Sequence, residues 1–249
     1  MPNYLTYFLI AWMAFFAILI PIQIHVSAPY GRHVSNKWGK MIPNYLGWII
    51  MEGWALPIFI GVYLWQYNSN SYSLFFAALY VLHYIYRALI YPFRIRTKGK
   101  KIPLTISFSA MFFNTINAGI NAWVLARYVY YPQGYWNQWP FIVGILLFVL
   151  GVYINISSDN ILIHLRKPGE IGYKIPFGGA FKYVSCANMF GEIIEWTGYA
   201  IMCWHLAAVS FLFNTAANLI PRAIHHHRWY LQTFPEYPQD RKAIIPFVL

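Results

Sequence analysis

The sequence predicts an all-α integral membrane protein with seven transmembrane helices, its N-terminus outside and its C-terminus in the cytoplasm. Three observations lead to this prediction: an apolar composition, a series of apolar runs of membrane-spanning length, and the placement of the basic residues. Of the 249 residues, 59% are hydrophobic and 10% are charged, whereas a soluble domain contains about 25% charged residues. The composition therefore excludes an ordinary soluble domain.

Apolar runs long enough to cross a hydrocarbon core of about 30 Å define the predicted spans. The last run, Asn188–Ile220, would reach about 50 Å as a single helix, so we expect it to break near His205 and to form two spans. The five earlier runs are Tyr4–Ile24, Tyr45–Trp65, Leu74–Tyr91, Ile106–Tyr130 and Trp139–Ile156. No linker is long enough to divide the chain, so the sequence predicts one domain over residues 1–249.

The basic residues test the number of spans. With seven helices, 16 of the 18 Lys and Arg residues fall on one side, in the segments that follow spans 1, 3, 5 and 7. The positive-inside rule assigns that side to the cytoplasm, whereas six spans would put the C-terminal basic residues on the opposite side. Topology thus accounts for the net charge of +11, and we expect membrane lipid and no nucleic acid among the partners.

The polar stretch Asn155–Glu195 stands between two apolar runs. It holds four of the seven acidic residues of the chain within 41 positions. A membrane protein presents a site for a charged ligand in this way, at one face of the bilayer. Its glycines do not form G-x-G-x-x-G and they follow a membrane helix rather than a strand, which excludes a Rossmann cofactor site.

Polar residues recur in and beside this stretch at a spacing of three to four, which places them on common helix faces. Amides, carboxylates, an Arg, a His and a Tyr suit ribose hydroxyls, a carboxamide and phosphates, so a nucleotide site is predicted. An interhelical polar network that closes the bundle is the alternative interpretation. The three rows are Asn155 and Asp159; Asn188, Glu192 and Glu195; and Arg222, His226 and Tyr230.

Two residues inside predicted spans are candidates for chemistry. Glu52 lies within span 2, where a carboxyl group is costly unless it is paired or protonated; a helix-to-helix hydrogen bond is the other interpretation. Tyr84 and Arg87 of span 3 are three residues apart and share a face. Ordinary packing would explain a lone Tyr, but beside a Glu and an Arg it becomes a candidate proton donor.

Three consecutive histidines, His225, His226 and His227, raise the question of a metal site. Adjacent residues on a helix point about 100° apart and do not converge on one ion, and the chain has no second His cluster. The sequence therefore predicts no metal.

Long motifs in the second half of the chain resemble the steroid 5α-reductases. They are IN-I-x-SD, LRKPGE-I-x-Y-x-IP-x-GG, F-x-YVS-x-AN and GEI-I-EW within Ile154–Trp196, followed by the tail RAIHHHRWYLQTFPEYPQDRKAIIPF. The resemblance is strong from Asn155 to Leu249 and weaker from Glu52 onward.

The resemblance implies an NADPH-dependent enzyme that reduces the Δ4 double bond of 3-oxo-Δ4 steroids. By position it implies that Glu52 and Tyr84 contact the 3-keto oxygen of the substrate. The substrate side would comprise mainly spans 1–4, and the cofactor side would comprise spans 5–7, the cytoplasmic loop 157–187 and the tail 222–249. The implied cofactor-binding residues are Asn155, Asp159, Arg166, Tyr173, Asn188, Glu192, Arg222, His226 and Tyr230.

Two positions depart from the family pattern: Met51 replaces a Gln, and Ser109 replaces an Arg. The alternatives are an enone reductase of polyprenol-like or long-chain enoyl-thioester lipids, an isoprenylcysteine-type methyltransferase, and a non-enzymatic seven-helix receptor or carrier. We expect a monomer in the inner membrane of a bacterium or in the endoplasmic reticulum of a eukaryote, with the cofactor site facing the cytoplasm.

Overall fold

The computed structural model describes residues 1–67, 71–96, 99–167, 170 and 172–249. Lys98, one of the basic residues that set the predicted topology, lies outside these ranges. The contacts divide the chain into two compact units. Unit 1 comprises Met1–Tyr7, Ala28–Tyr135 and His205–Ala207, and unit 2 comprises Phe8–Ser27, Trp136–Trp204 and Ala208–Leu249.

Helices make up most of the described residues, in agreement with the predicted class. The α-helices are α1 (Asn3–His25), α2 (Asn44–Gly53), α3 (Ala55–Gln66), α4 (Ser71–Ile85), α5 (Tyr91–Arg94), α6 (Leu104–Arg127), α7 (Trp139–His164), α8 (Ala187–Cys203) and α9 (Leu206–Thr233). A π-helical turn covers Tyr86–Ile90, and 3₁₀ turns cover Gly31–His33, Asn36–Trp38, Tyr135–Asn137 and Gly179–Lys182.

Four segments of the described chain are long and apolar enough to cross a membrane: Asn3–His25, Asn44–Gln66, Tyr72–Arg94 and Trp139–His164. They correspond to predicted spans 1, 2, 3 and 5. The other predicted spans correspond to α6, α8 and α9.

Two helix boundaries bear on the predicted spans. The break near His205 is confirmed, because α8 ends at Cys203, Trp204 is left-handed with φ of 50°, and α9 begins at Leu206. Helix α7 continues to His164, beyond the predicted end at Ile156. The first eight residues of the predicted loop 157–187 are therefore helical, because polar residues lower the hydropathy there without ending the helix.

In unit 1, an antiparallel two-stranded ribbon precedes two of the helices. Its strands are β1 (Met41–Pro43) and β2 (Lys101–Pro103), paired around Ile42 and Ile102. Each strand ends in a proline at the N-cap position of the following helix, α2 or α6. The apolar runs alone did not predict this ribbon, because the pairing joins segments about 60 residues apart.

Predicted span 2 consists of two helices in the structure. Helix α2 ends at Gly53, and α3 begins at Ala55. Pro57 has no N–H to donate to the carbonyl of Gly53 four residues earlier, and its ring clashes with that carbonyl. Glu52 therefore lies at a break in the helical hydrogen-bond ladder.

In unit 2, helices α7 and α8 pack backbone to backbone through four glycines. A Cβ added at Gly151 would lie 2.1 Å from the backbone nitrogen of Glu195, and one added at Gly198 would lie 2.3 Å from that of Phe148. Gly144 and Gly191 meet the opposite backbone in the same way, at 2.6 and 2.4 Å. Small residues permit such a close approach, and the seven-residue spacing within each pair keeps them on one face.

Candidate functional site

A hydrogen-bond network joins the polar ends of α7 and α8. The Asn155 side-chain amide donates to the Asn188 carbonyl at 2.9 Å, and the Asn188 amide donates to Asp159 Oδ1 at 3.1 Å. Asn155 and Asp159 are buried, whereas Asn188 and Glu192 are partly exposed. Three predicted residues are thus brought together, and the close glycine packing of the two helices fixes their spacing.

The segment after α7 carries Arg166 and Tyr173. Arg166 donates to the Gly172 carbonyl at 3.0 Å. Glu170 accepts from the Lys167 backbone and from Lys174, at 2.8 and 2.5 Å. Hydrogen bonds from these two lysines lower the pKa of the exposed Glu170 carboxyl. Pro168, Gly169 and Ile171, which belong to the LRKPGE motif region, lie outside the described residues.

The third predicted row lies on α9. Arg222 and His226 are partly exposed, and Tyr230 is buried. Ala223, beside Arg222, packs in one apolar cluster with Cys186 and Met189. Since Met189 is next to Asn188, this cluster holds the Asn188 end of α8 against the Arg222 level of α9.

An aromatic cluster links the loop to the end of α9. The Tyr173 and Trp229 rings are 5.1 Å apart in edge contact, and Tyr230 stacks on Tyr237 at 5.0 Å. Ile175 packs against Tyr230 and Tyr237. Two predicted residues, Tyr173 and Tyr230, are therefore connected through Trp229.

A second hydrogen-bonded row, which was not predicted from the sequence, consists of Ser185, His227 and Tyr237. Ser185 Oγ lies 2.7 Å from His227 Nδ1 and 2.6 Å from the Tyr237 hydroxyl. Burial, followed by the charge of Lys242, lowers the pKa of His227. The row ties the segment before α8 to the end of α9 and to the C-terminal tail.

Arg241 adds a further tie between the loop and the tail. Its guanidinium is buried, donates to the Pro176 carbonyl at 2.9 Å, and lies over the rings of Phe177 and Tyr237. Together with the Ser185 row, Arg241 links Pro176 and Phe177 of the loop to the end of α9 and to the tail.

Unit 1 contains the two candidate catalytic residues. Tyr84 is buried on α4, where its ring packs on Tyr80 at 4.9 Å and its hydroxyl donates to Asn114 Oδ1 at 3.1 Å. The Asn114 amide donates to the carbonyl of Met51 at 2.6 Å. Because Glu52 follows Met51, one amide links the Tyr84 hydroxyl to the backbone beside Glu52.

Arg87 lies in the π-helical turn directly after α4. Its guanidinium is 5.2 Å from the centre of the Trp48 ring and 4.8 Å from that of Tyr91. A π-helical turn inside a helix is frequent at functional sites. Of the two positions that depart from the family pattern, Met51 is buried and Ser109 is exposed, with its hydroxyl bonded to the Thr105 carbonyl.

Asn114 was not predicted as a site residue. A buried polar residue in an apolar helix was the available signal, but Asn117 and Asn121 give the same signal on α6, and the sequence does not show which one reaches another helix. Among the described residues, no group of three His, Cys, Asp or Glu side chains is placed to hold a metal ion.

Comparison with known proteins shows similarity along nearly the whole chain. The family described as 3-oxo-5-alpha-steroid 4-dehydrogenase matches residues 100–249. Steroid 5-alpha-reductase DET2 of Arabidopsis thaliana is 41% identical over 231 residues, covering 90% of this chain and 88% of that protein. The 3-oxo-5-alpha-steroid 4-dehydrogenase 1 of Homo sapiens is 41% identical over 231 residues, covering 89% and 86% respectively. The 3-oxo-5-alpha-steroid 4-dehydrogenase 2 of Macaca fascicularis is 45% identical over 170 residues, covering 68% and 66%.

Proposed function

Because the chain belongs to the steroid 5α-reductase family of oxidoreductases, we propose that it reduces the Δ4 double bond of a 3-oxo-Δ4 steroid with NADPH. The observation that carries this proposal is the extent of the similarity, about 40% identity along about nine-tenths of the chain, to relatives named for this reaction. The positions proposed for catalysis and for cofactor binding fall within the family resemblance.

The reaction determines what the protein must supply at the substrate carbonyl. A hydride adds to the β-carbon of the enone, electron density moves to the 3-keto oxygen, and a proton adds to the α-carbon. Hydrogen-bond donors already aimed at that oxygen stabilise the developing charge, and loss of one such donor costs about 10²–10³ in kcat. We assign this role to the Tyr84 hydroxyl, with Glu52 as its partner or as a second donor.

The surroundings of Tyr84 suit an apolar substrate. Its ring packs on Tyr80, which is stacked at 4.1 Å on Phe59, and all three side chains are buried. A fixed aromatic stack holds the phenol ring in one orientation, so that only its O–H has to turn when charge develops. Excluding water from such a site strengthens the hydrogen bond to the substrate oxygen.

The residues of unit 2 fit a dinucleotide by the chemistry of their polar groups. Amides, carboxylates, guanidinium groups, an imidazole and phenols can bind ribose hydroxyls, a carboxamide and phosphates. When bound, NADPH would supply the hydride. The residues that would hold it are Asn155, Asp159, Arg166, Tyr173, Asn188, Glu192, Arg222, His226 and Tyr230.

The described geometry supports this assignment at two places. The Asn155, Asp159 and Asn188 network fixes amide and carboxylate groups at the paired ends of α7 and α8. On α9, Arg222 and His226 are only partly buried, so a ligand could still reach them. A guanidinium is the group best suited to bind phosphate through two parallel hydrogen bonds.

We further propose seven membrane spans in a single monomeric domain, with the N-terminus outside and the cofactor site at the cytoplasmic face. This topology places 16 of the 18 Lys and Arg residues in the cytoplasm. The steroid would enter from the lipid, because an apolar molecule partitions into the bilayer. The host membrane would be the inner membrane in a bacterium or the endoplasmic reticulum in a eukaryote.

An assay of NADPH consumption by the purified protein tests the proposal. The panel contains a 3-oxo-Δ4 steroid, a polyprenol-like enone and a long-chain enoyl thioester, and S-adenosylmethionine binding is measured in parallel. Turnover of the steroid with formation of the 5α product supports the proposal. Turnover of only a lipid enone would assign another substrate class, and S-adenosylmethionine binding without NADPH binding would favour a methyltransferase.

A further inference from the structure

Asn114 is a buried amide on α6 that uses both of its ends to reach other helices of unit 1. Its Oδ1 accepts from the Tyr84 hydroxyl of α4, and its Nδ2 donates to the Met51 carbonyl of α2. The side chain is 3% exposed. Asn117 and Asn121 lie on the same helix, and their amides donate to Phe113 and Asn117, carbonyls of their own helix.

The orientation of the Asn114 amide determines where the Tyr84 proton lies. A backbone carbonyl can only accept a hydrogen bond, so the Asn114 NH₂ group must face Met51. The amide oxygen then faces Tyr84 and can only accept, so the phenol must donate its single proton to Asn114.

The second hydrogen bond of Asn114 is made near the C-terminal end of α2, where the helical hydrogen bonds are interrupted. The Met51 carbonyl is immediately before Glu52, and α2 ends one residue later at Gly53. Pro57 leaves the Gly53 carbonyl without its usual helical donor. The bond from Asn114 therefore supports the backbone of Glu52 close to the point where the helix's own hydrogen bonds are interrupted.

We propose that Asn114 is a positioning residue that sets the Tyr84 hydroxyl and the backbone of Glu52 relative to each other. This inference rests on the proposed function, in which both side chains act on the substrate carbonyl. Tyr80 and Phe59 fix the plane of the Tyr84 ring, whereas the hydrogen bond to Asn114 holds the Tyr84 hydroxyl beside α6 until the substrate oxygen competes for its proton. As negative charge grows on the substrate oxygen, that oxygen becomes a stronger acceptor than the amide, and the phenol turns its proton toward it.

This arrangement predicts a loss of turnover rather than of substrate binding when Asn114 is replaced. In Asn114→Leu, the Tyr84 hydroxyl loses the acceptor that holds it beside α6, and the Met51 carbonyl loses the donor that supports the backbone of Glu52. We expect kcat to fall about tenfold to a hundredfold, less than for loss of an oxyanion donor itself, with the steroid KM within about threefold of the wild type. NADPH affinity should be unchanged.

Asn114→Asp separates positioning from a merely structural role. A neutral carboxyl can donate to Met51 and accept from Tyr84, so both hydrogen bonds survive. An ionised carboxylate cannot donate to Met51, and its charge opposes charge on the substrate oxygen. We expect kcat of this variant to approach the wild-type value at low pH and to fall as pH rises through the new ionisation, relative to the wild-type profile.

The experiment measures kcat and KM against pH for the wild type, Asn114→Leu, Asn114→Asp and the control Asn121→Leu. Asn121 is 2% exposed on the same helix but its amide donates to the Asn117 carbonyl of that helix, so its replacement should leave both constants unchanged. Thermal unfolding at each pH confirms that the compared proteins are folded.

Wild-type kcat in Asn114→Leu, an Asn114→Asp profile parallel to that of the wild type, or an equal loss in Asn121→Leu would overturn the inference while the function stands. If Asn114→Leu does not fold, the Asn114→Asp profile decides alone. A wild-type protein that turns over no 3-oxo-Δ4 steroid would overturn the proposed function and this inference together.

Discussion

Gly151 and Glu195 approach so closely that no side chain fits between them. A Cβ at position 151 would lie 2.1 Å from the backbone nitrogen of Glu195 and 2.5 Å from its Cα. One helical turn further along α7, Asn155 donates to the Asn188 carbonyl of α8. The backbone contact at Gly151 therefore sets the helix separation on which the Asn155 and Asn188 hydrogen bonds depend.

We predict that Gly151→Ala destabilises the protein and weakens NADPH binding. The two backbones would have to separate by about 1.3 Å to bring the 2.1 Å contact to the 3.4 Å of an ordinary one. Overpacking of this kind costs about 1–3 kcal/mol or more. Thermal unfolding in detergent and fluorescence titration with NADPH measure the two effects.

Gly61→Ala provides the control for this substitution, because nothing lies within 4 Å of a Cβ added on that face of α3. Alanine favours a helix over glycine by up to about 1 kcal/mol, so the stability of the control should be unchanged or slightly higher. Equal stability of the two variants would contradict the assigned role of the glycine contact.

Asn188→Ala and Arg222→Ala should weaken NADPH binding by at least about tenfold while kcat at saturating cofactor changes less. The first change removes the hydrogen bond to Asp159, and the second removes a cation suited to phosphate. Isothermal titration gives the dissociation constants. Asn214→Ala serves as the control, because it removes a buried amide of α9 that bonds to Ser210 of the same helix; its NADPH affinity should be unchanged. Normal NADPH affinity in both test variants would place the nucleotide elsewhere.

Tyr84→Phe should reduce kcat by about 10²–10³ and leave NADPH affinity intact, because only the hydroxyl is lost and the ring still packs on Tyr80. Steroid turnover and NADPH titration are the measurements. Tyr63→Phe loses a buried hydroxyl bonded to Ser73 in the same unit and should keep its activity. Near-wild-type rates in Tyr84→Phe would remove this phenol from the chemistry.

His227 predicts a pH dependence of stability. Its folded pKa lies below the ordinary value of about 6.5, so the unfolded chain binds more protons in that range. The contribution of His227 is fully present above about pH 6.5 and is lost as pH falls through and below that value. The melting temperature should therefore drop between about pH 7 and 5.

His227→Gln should flatten that drop, since the amide keeps a hydrogen bond to Ser185 within reach but does not titrate. His164→Gln, at an exposed histidine that ends α7, is the matched control and should retain the wild-type slope. A wild-type slope in His227→Gln would show that the lowered pKa of His227 does not govern stability in this range.

The helical class could be predicted from the sequence because it depends on local composition. The break at Trp204 was predictable from length alone, since one helix from Asn188 to Ile220 would exceed the bilayer. The polar rows on α7 and α8 were visible because residues four apart share a face, and the structure joins Asn155, Asp159 and Asn188 as neighbours.

Features that depend on distant pairing were not predictable in the same way. The hydrogen bond from Tyr84 to Asn114 spans 30 residues, the one from Asn114 to Met51 spans 63, and the one between Ser185 and Tyr237 spans 52. The ribbon of β1 and β2 was not predictable for the same reason, because its strands are distant in the sequence. By contrast, Gly53 and Pro57 do indicate the split of span 2. It was not predicted because the apolar run continues without interruption over Tyr45–Trp65.

The fate of the transferred hydride tests the proposed reaction most directly. Purified protein is incubated with a 3-oxo-Δ4 steroid and NADPH that carries deuterium at its transferable position, and the product is analysed by mass spectrometry and NMR. We predict a 5α-steroid with one deuterium on C5, the β-carbon of the enone. A product without deuterium at that carbon, or no consumption of NADPH with any 3-oxo-Δ4 steroid, would contradict it.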